Sequence, residues 1–281
     1  MRAAVVVSTL FLAQDPVASW SPATPLQGGL LRIAVAASPH DTAAPAASLA
    51  DEPLHFERDG SRGWTALAAV PLAASDSVVL WVRRPGGDSV ALWVPIAPRP
   101  TGVERLTTDR AFTAPLDSAL AERVRRETER VIATLRGSHA GSRLWTEPFR
   151  PPRPTRVTSP FGQGRSFNAG EAQGRHRGTD FAGVRGAAVQ AANRGVVVLV
   201  DELYFAGRAI YVDHGAGVVT AYLHLDRASV AEGDTVARGQ VIGRVGSSGR
   251  VTGPHLHWAA FFGRVAFDPL DLLALRPRAV R

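Results

Sequence analysis

The sequence predicts a mainly β protein. A small β-sandwich and one amphipathic helix precede a C-terminal antiparallel β-sheet or sandwich. Three observations carry this expectation. Short apolar runs alternate with turn-rich pieces across residues 21–100. One stretch, Ala114 to Gly137, repeats its apolar residues at helical spacing. From Val157 onward, glycine-punctuated segments such as GVVVLV and AIYVDHGAGVVTAYLHL follow one another, and no helical pattern interrupts them before DPLDLLAL.

The elements follow in chain order. MRAAVVVSTLFLAQD sets one arginine before an apolar stretch from Ala3 to Ala13. That length suits the h-region of a signal peptide and is too short to span a bilayer. Residues 1–20 are therefore read as a signal peptide. Ala13 is a candidate last residue before cleavage, although Phe11 fills the −3 place where a small residue is preferred. Strands are expected at Leu30–Ala37, Trp64–Val70, Ser77–Arg84 and Ser89–Ala97. The last two should form a hairpin around Pro85-Gly86-Gly87-Asp88. Residues 21–100 become an accessory β-sandwich, and residues 101–150 a linker and helix. In that helix Leu116, Leu120, Val124, Val131 and Leu135 share a stripe, Pro115 suits the first turn and Gly137 the stop. Its Arg and Glu residues read as a solvated face. The proline-rich FRPPRPTRVTSP leads into residues 151–281.

Composition removes several functions. The chain has 281 residues and is 45% hydrophobic, enough to build a core. It has no cysteine, so disulfides, zinc–thiolate sites and a cysteine nucleophile are excluded. It has no lysine either, and all 32 basic residues are arginine. The net charge of +7 fits attraction to an anionic polymer or simple Arg-for-Lys usage. The arginines are scattered and no basic run is interleaved with aromatics, so no nucleic-acid partner is expected. No later segment is long and apolar enough for a transmembrane helix.

Three pieces of the C-terminal part carry chemistry: GRHRGTDFAG with His176 and Asp180, TAYLHLD with His224, and TGPHLHWAA with His255 and His257. Strand residues two apart share a face. His255 and His257 should then point to one groove, with Leu256 and Trp258 turned to the core. By the same alternation Thr220, Tyr222 and His224 share a face, and His176 and Asp180 do so if their segment is extended. Two neutral imidazoles and a carboxylate form a common ligand set for catalytic zinc. There is no HExxH helix, so a base would have to come from the spare histidines.

The stretch from Val157 to Leu275 resembles the lysostaphin/LytM-type zinc endopeptidases, which cleave peptidoglycan peptides. The likeness rests on SPFGQGRSFNAG, HRGTD, AAVQAANRGVVVLV, VDHGAGVVTAYLHL, EGDTVARGQVIGRVGSSGRVTGPHLHW and FDPLDLL. It implies that His176, Asp180 and His257 are Zn2+ ligands and that His224 and His255 are catalytic. It also implies a peptidoglycan substrate, and an exported protein of the periplasm or cell envelope. The accessory β-region looks, more loosely, like the part that precedes the catalytic domain in some exported members. Asn168 and His214 read as turn residues, Arg165 and Arg175 as solvated, and His40, His55 and His139 as surface or packing residues. Tyr222 is read as either a groove-lining or a core aromatic.

Two other classes of function compete with this reading. EGDTVARGQVIGRVG looks like the hammerhead hairpin of biotinyl and lipoyl carriers, but those need an acceptor lysine and this chain has none. A non-catalytic LytM-like activator of a cell-wall amidase is the alternative function. The intact five-residue set argues against it.

Overall fold

The computed structural model describes residues 17–36, 43–60, 63–83, 87, 89–170 and 172–276. The expected signal segment falls almost entirely outside these residues, as do His40 and most of the Pro85–Asp88 turn. Ser19–Ser21 is already a strand, paired antiparallel with Leu30–Ala36.

Two four-stranded sheets make up the N-terminal β-region. One runs Ser19–Ser21, Leu30–Ala36, Gly63–Ala69, Glu57–Arg58, and the other Glu52–Pro53, Ala46–Leu49, Ser77–Arg83, Ser89–Pro95. Each long strand turns alternate apolar side chains inward: Leu31, Ile33 and Val35 from one sheet, Leu80, Val82 and Val94 from the other. The outward positions of the second sheet include Trp81 and Trp93, both exposed.

The connector after Pro100 is more ordered than a linker. Val103–Leu106 pairs in parallel with Gly164–Phe167, and a short 3-10 turn at Arg110–Phe112 follows. Helix α1 spans Ser118–Gly137. Asp117 caps it by accepting a hydrogen bond from the Leu120 backbone N–H at 2.8 Å, so Pro115 lies just outside the helix rather than in its first turn. The Arg and Glu residues of α1 form exposed pairs such as Arg125–Glu129.

A ten-stranded sheet follows, antiparallel throughout. Its main path is Val157–Ser159, Thr179–Ala182, His255–Phe262, Val218–Ala228, Gly207–Asp213, Gly195–Leu203, Thr235–Val236. One face carries Val218, Tyr222, Leu256, Trp258 and Phe262 in the main core, which is continuous with the N-terminal sandwich. The opposite face carries Leu199, Tyr211, Val219, Ala221 and Ala259, and Leu135 and Val131 of α1 pack on them. The helix therefore covers one part of the face on which His257 also stands. Helix α2, Leu270–Ala274, closes the described chain.

Candidate metal centre

Strand register builds the site. Asp180 lies directly across from His257, and Leu223 flanks His257 on the other side. The neighbours Phe181, Leu256 and Trp258 point into the core, so Asp180 and His257 point to the opposite face. His176 sits in the loop between the Ala172–Arg175 and Thr179–Ala182 strands. Its backbone is tied on both sides: its N–H donates to Gln163 O at 2.7 Å and its carbonyl accepts from Gly162 N–H at 2.8 Å. Gly178 is required here by close approach, because a Cβ would fall 2.4 Å from His257 Nε2.

Three atoms converge. His176 Nε2 is 3.1 Å from Asp180 Oδ1 and 3.0 Å from His257 Nδ1, and His257 Nδ1 is 2.9 Å from Asp180 Oδ1. His176 Nδ1 lies 2.9 Å from the Pro160 carbonyl, which can only accept, so this nitrogen holds the ring proton and Nε2 presents its lone pair. Burial raises the Asp180 carboxyl, but its polar neighbours His176 and His257 outweigh it and hold the group well below the usual carboxylate range. Burial pushes His257 down, toward its neutral form. Three buried electron-pair donors thus face one point, an arrangement that a cation relieves. Zinc bonds of about 2.0–2.1 Å in a tetrahedron separate ligand atoms by about 3.3 Å. The observed spacings fit that set with little adjustment.

The other two histidines of the set close the same face. The His224 ring centroid is 5.1 Å from that of His255 and 5.8 Å from that of His257. His224 Nδ1 lies 2.9 Å from Ser248 O, and His255 Nδ1 lies 2.8 Å from Gly253 O. Each ring therefore keeps its proton on Nδ1 and leaves Nε2 free; His255 Nε2 is 3.7 Å from Asp180 Oδ1. Burial lowers both rings, His224 strongly, so both are neutral near pH 7.

Several expectations need correction. His224 does not share a face with Thr220 and Tyr222. Between the Tyr222↔Ile210 and Leu225↔Arg208 pairs the Val218–Ala228 strand carries one extra residue, and His224 takes φ +62°. This β-bulge turns His224 to the side of His257, while Tyr222 stays fully buried with its hydroxyl accepting from Ala192 N–H. Tyr222 is thus a core residue. Arg165 is not solvated: its Nη2 donates to Asp180 Oδ2 at 2.7 Å, and its Nε lies 3.6 Å from Glu104. Arg175 is part-buried and donates to Gly162 O and Leu72 O, tying the site region to the N-terminal sheets. Of the two readings for His55 and His139, surface or packing, the second holds. They pair at 2.8 Å, and His139 Nε2 lies 2.9 Å from buried Glu52. Asn168 does hold a turn, at φ +52°, and its side chain bonds Thr108 and Thr113. His214 supports its turn through Arg194 O at 2.7 Å.

Residues 174–269 match the model of peptidase family M23. That segment resembles a peptidase family M23 domain. Its cavity, of about 380 Å3, is lined by Glu104, Arg156, Arg165, Asp180, Arg250 and His255, among others. The chain is 42% identical over 103 residues to the peptidoglycan DD-endopeptidase ShyA of Vibrio cholerae, covering 37% of this chain and 24% of the relative. It is 39% identical over 123 residues to the DD-carboxypeptidase/endopeptidase Mpg of Neisseria meningitidis, covering 44% of this chain and 28% of that protein. The chain thus matches about a quarter of the length of these relatives. A putative peptidase M23 from Pseudomonas aeruginosa has a similar structure, with TM-score 0.68 and 26% identity over 89% of this chain and 95% of that one. The structural likeness therefore reaches beyond the matched segment into the N-terminal β-region.

Residues outside the pattern of four histidines and one aspartate also belong to the site. Glu104, Ser159 and Arg165 form a linked cluster behind Asp180, with Ser159 Oγ donating to Glu104 at 2.7 Å. Nothing in the spacing of the motifs signals Glu104, because it arrives through a parallel strand pair with a partner far along the chain.

Proposed function

We propose that the chain is a zinc-dependent endopeptidase that hydrolyses peptide bonds in peptidoglycan stem or cross-bridge peptides. The observation that carries this reading is the grouping on one sheet face of three convergent ligand atoms with two neutral imidazoles. His176, Asp180 and His257 would hold the zinc ion. When bound, zinc polarises a peptide carbonyl and brings the pKa of a water toward neutrality.

The chain's own residues supply the rest. His224 and His255 each fix their Nδ1 proton on a backbone carbonyl, so each offers Nε2 as a proton acceptor at the groove. One takes a proton from the attacking water. The pair then stabilises developing negative charge and returns a proton to the departing amine. Arg165 holds the second oxygen of Asp180, which keeps Oδ1 aimed at His176 and His257. Residues 21–100 serve as an accessory β-sandwich, residues 101–150 connect, and residues 151–281 carry the catalysis. The place of work is the periplasm or cell envelope, where peptidoglycan is found. No described helix is long and apolar enough to cross a membrane.

The test is digestion of purified sacculi by the zinc-loaded chain, with released muropeptides identified by mass spectrometry. Peptide fragments carrying new amino and carboxyl ends are expected. No hydrolysis by the chain alone, together with stimulation of an added amidase, would establish the activator alternative instead.

A further inference from the structure

The cavity beside His255 is lined by more cations than anions. Three arginines and two acids take part in its lining: Arg156, Arg165 and Arg250 against Glu104 and Asp180. Both acids are already committed, since Arg165 approaches both and Asp180 also faces His176 and His257. Among the described residues Arg250 has no ion-pair partner. Its guanidinium is held instead between two phenyl rings, 4.4 Å from the Phe167 centroid and 4.9 Å from the Phe205 centroid. Its backbone N–H is fixed on Phe205 O at 2.9 Å. Burial and the nearby Arg165 charge both work against its charged form.

A half-buried guanidinium flanked by rings loses hydration without gaining a counter-charge. The stacking fixes the plane of the fork and leaves its N–H edge unspent. Such a fork matches a carboxylate in two-point geometry. Arg156, exposed on the same cavity and also without an ion-pair partner among the described residues, adds charge of the same sign.

We infer that Arg250 determines specificity by binding a free carboxylate of the substrate peptide next to the scissile bond. The inference rests on the endopeptidase reading and narrows its substrate class. A direct cross-link between stem peptides, in which the amine-donating residue carries a carboxylate on the carbon bearing the scissile nitrogen, meets the requirement. A neutral oligoglycine bridge does not.

The experiment uses the zinc-loaded full chain and two synthetic cross-linked peptides, identical except that one has this carboxylate converted to a carboxamide. The wild type is expected to favour the carboxylate form by about 10- to 100-fold in kcat/KM, the size of a charge-assisted hydrogen-bonded pair. R250Q is expected to collapse that preference to within about 2-fold, and R250K to restore part of it, because lysine keeps the charge but not the fork. Calorimetric binding of the two peptides to the metal-free chain should show the same ordering. Zinc content and circular dichroism establish that each variant is folded. Equal cleavage of both peptides by the wild type, or an R250Q variant that keeps the full preference, overturns the inference while leaving the endopeptidase reading intact. Cleavage of neither peptide, nor of sacculi, removes that reading and the inference with it.

Discussion

His255 and His257 stand two residues apart on one strand and face one groove, yet their nitrogens are spent differently. His257 turns Nδ1 to Asp180 and His176, while His255 spends Nδ1 on Gly253 O. His257→Ala or Asp180→Ala should therefore lose both zinc and activity. His255→Ala should keep roughly one equivalent of zinc while losing about 100- to 10,000-fold in rate, the usual range for a general acid–base group. Metal analysis beside kinetics on the same preparations separates them, and full zinc loss in His255→Ala would contradict the division. The clustering of His176, Asp180 and His257 was legible in the sequence because HxxxD and HxH fix spacing on local strands. Arg165 was not, because its partner Glu104 comes from a strand 61 positions away in register. A second residue-scale consequence concerns His214, which is fully buried. Burial brings its imidazole down to about 4 from the ordinary 6.5. Between those values the unfolded chain binds a proton that the folded chain refuses, so stability is complete above pH 6.5 and falls as the pH drops toward 4. The loss totals about 3 kcal/mol. Thermal melts from pH 7.5 to 4.5 should show a shallower decline for His214→Gln than for the wild type, and parallel declines would refute the assignment.

At the scale of the element, the bulge in the Val218–Ala228 strand decides whether the site exists. Simple alternation sends His224 to the core side with Tyr222. The extra residue reverses the phase so that His224 meets His255 and His257, while Leu225 returns to the core. Period-two reasoning read the rest of the strand correctly and failed only at this point, because a bulge leaves no mark in the hydrophobic pattern. His224 sits at φ +62°, where a side chain is strained and glycine is not. His224→Gly and His224→Ala should both lose activity. The glycine variant should be the more stable by up to about 1 kcal/mol, because relief of the strain exceeds the entropy glycine adds to the unfolded chain. Chemical denaturation of the two variants provides the comparison; a more stable alanine variant would show that the backbone there relaxes without cost. The same scale explains the connector. Proline at 98 and 100 reads as a boundary, yet Val103–Leu106 finds an edge to pair with at Gly164–Phe167. Local composition marks where regular structure stops but not which distant edge a short strand will join.

At the scale of the whole molecule, the N-terminal sheets and the ten-stranded sheet share one continuous core and are held together by buried polar contacts. Arg175 reaches Leu72 O and Gln27, and Arg99 pairs with Asp268 at 2.9 Å. The deepest of these links is centred on Glu52, only 3% exposed. One carboxylate oxygen accepts from Arg264 Nε at 2.9 Å and the other lies 2.9 Å from His139 Nε2, whose ring in turn meets His55. The sequence showed β-structure on both sides of this junction, but it held no local sign that His55 and His139, 84 positions apart, would meet. Removing Glu52 leaves the part-buried His139 and the exposed Arg264 without their acceptor. Glu52→Ala should thus cost about 1–2 kcal/mol, since solvent screens the freed arginine. Because the ligand histidines and Asp180 are held by their own strand register and by Pro160 O, the folded variant should still take up zinc. A melting temperature unchanged from wild type would show that the junction contributes nothing to stability. A folded variant unable to bind zinc would show instead that the accessory region sets the geometry of the metal centre.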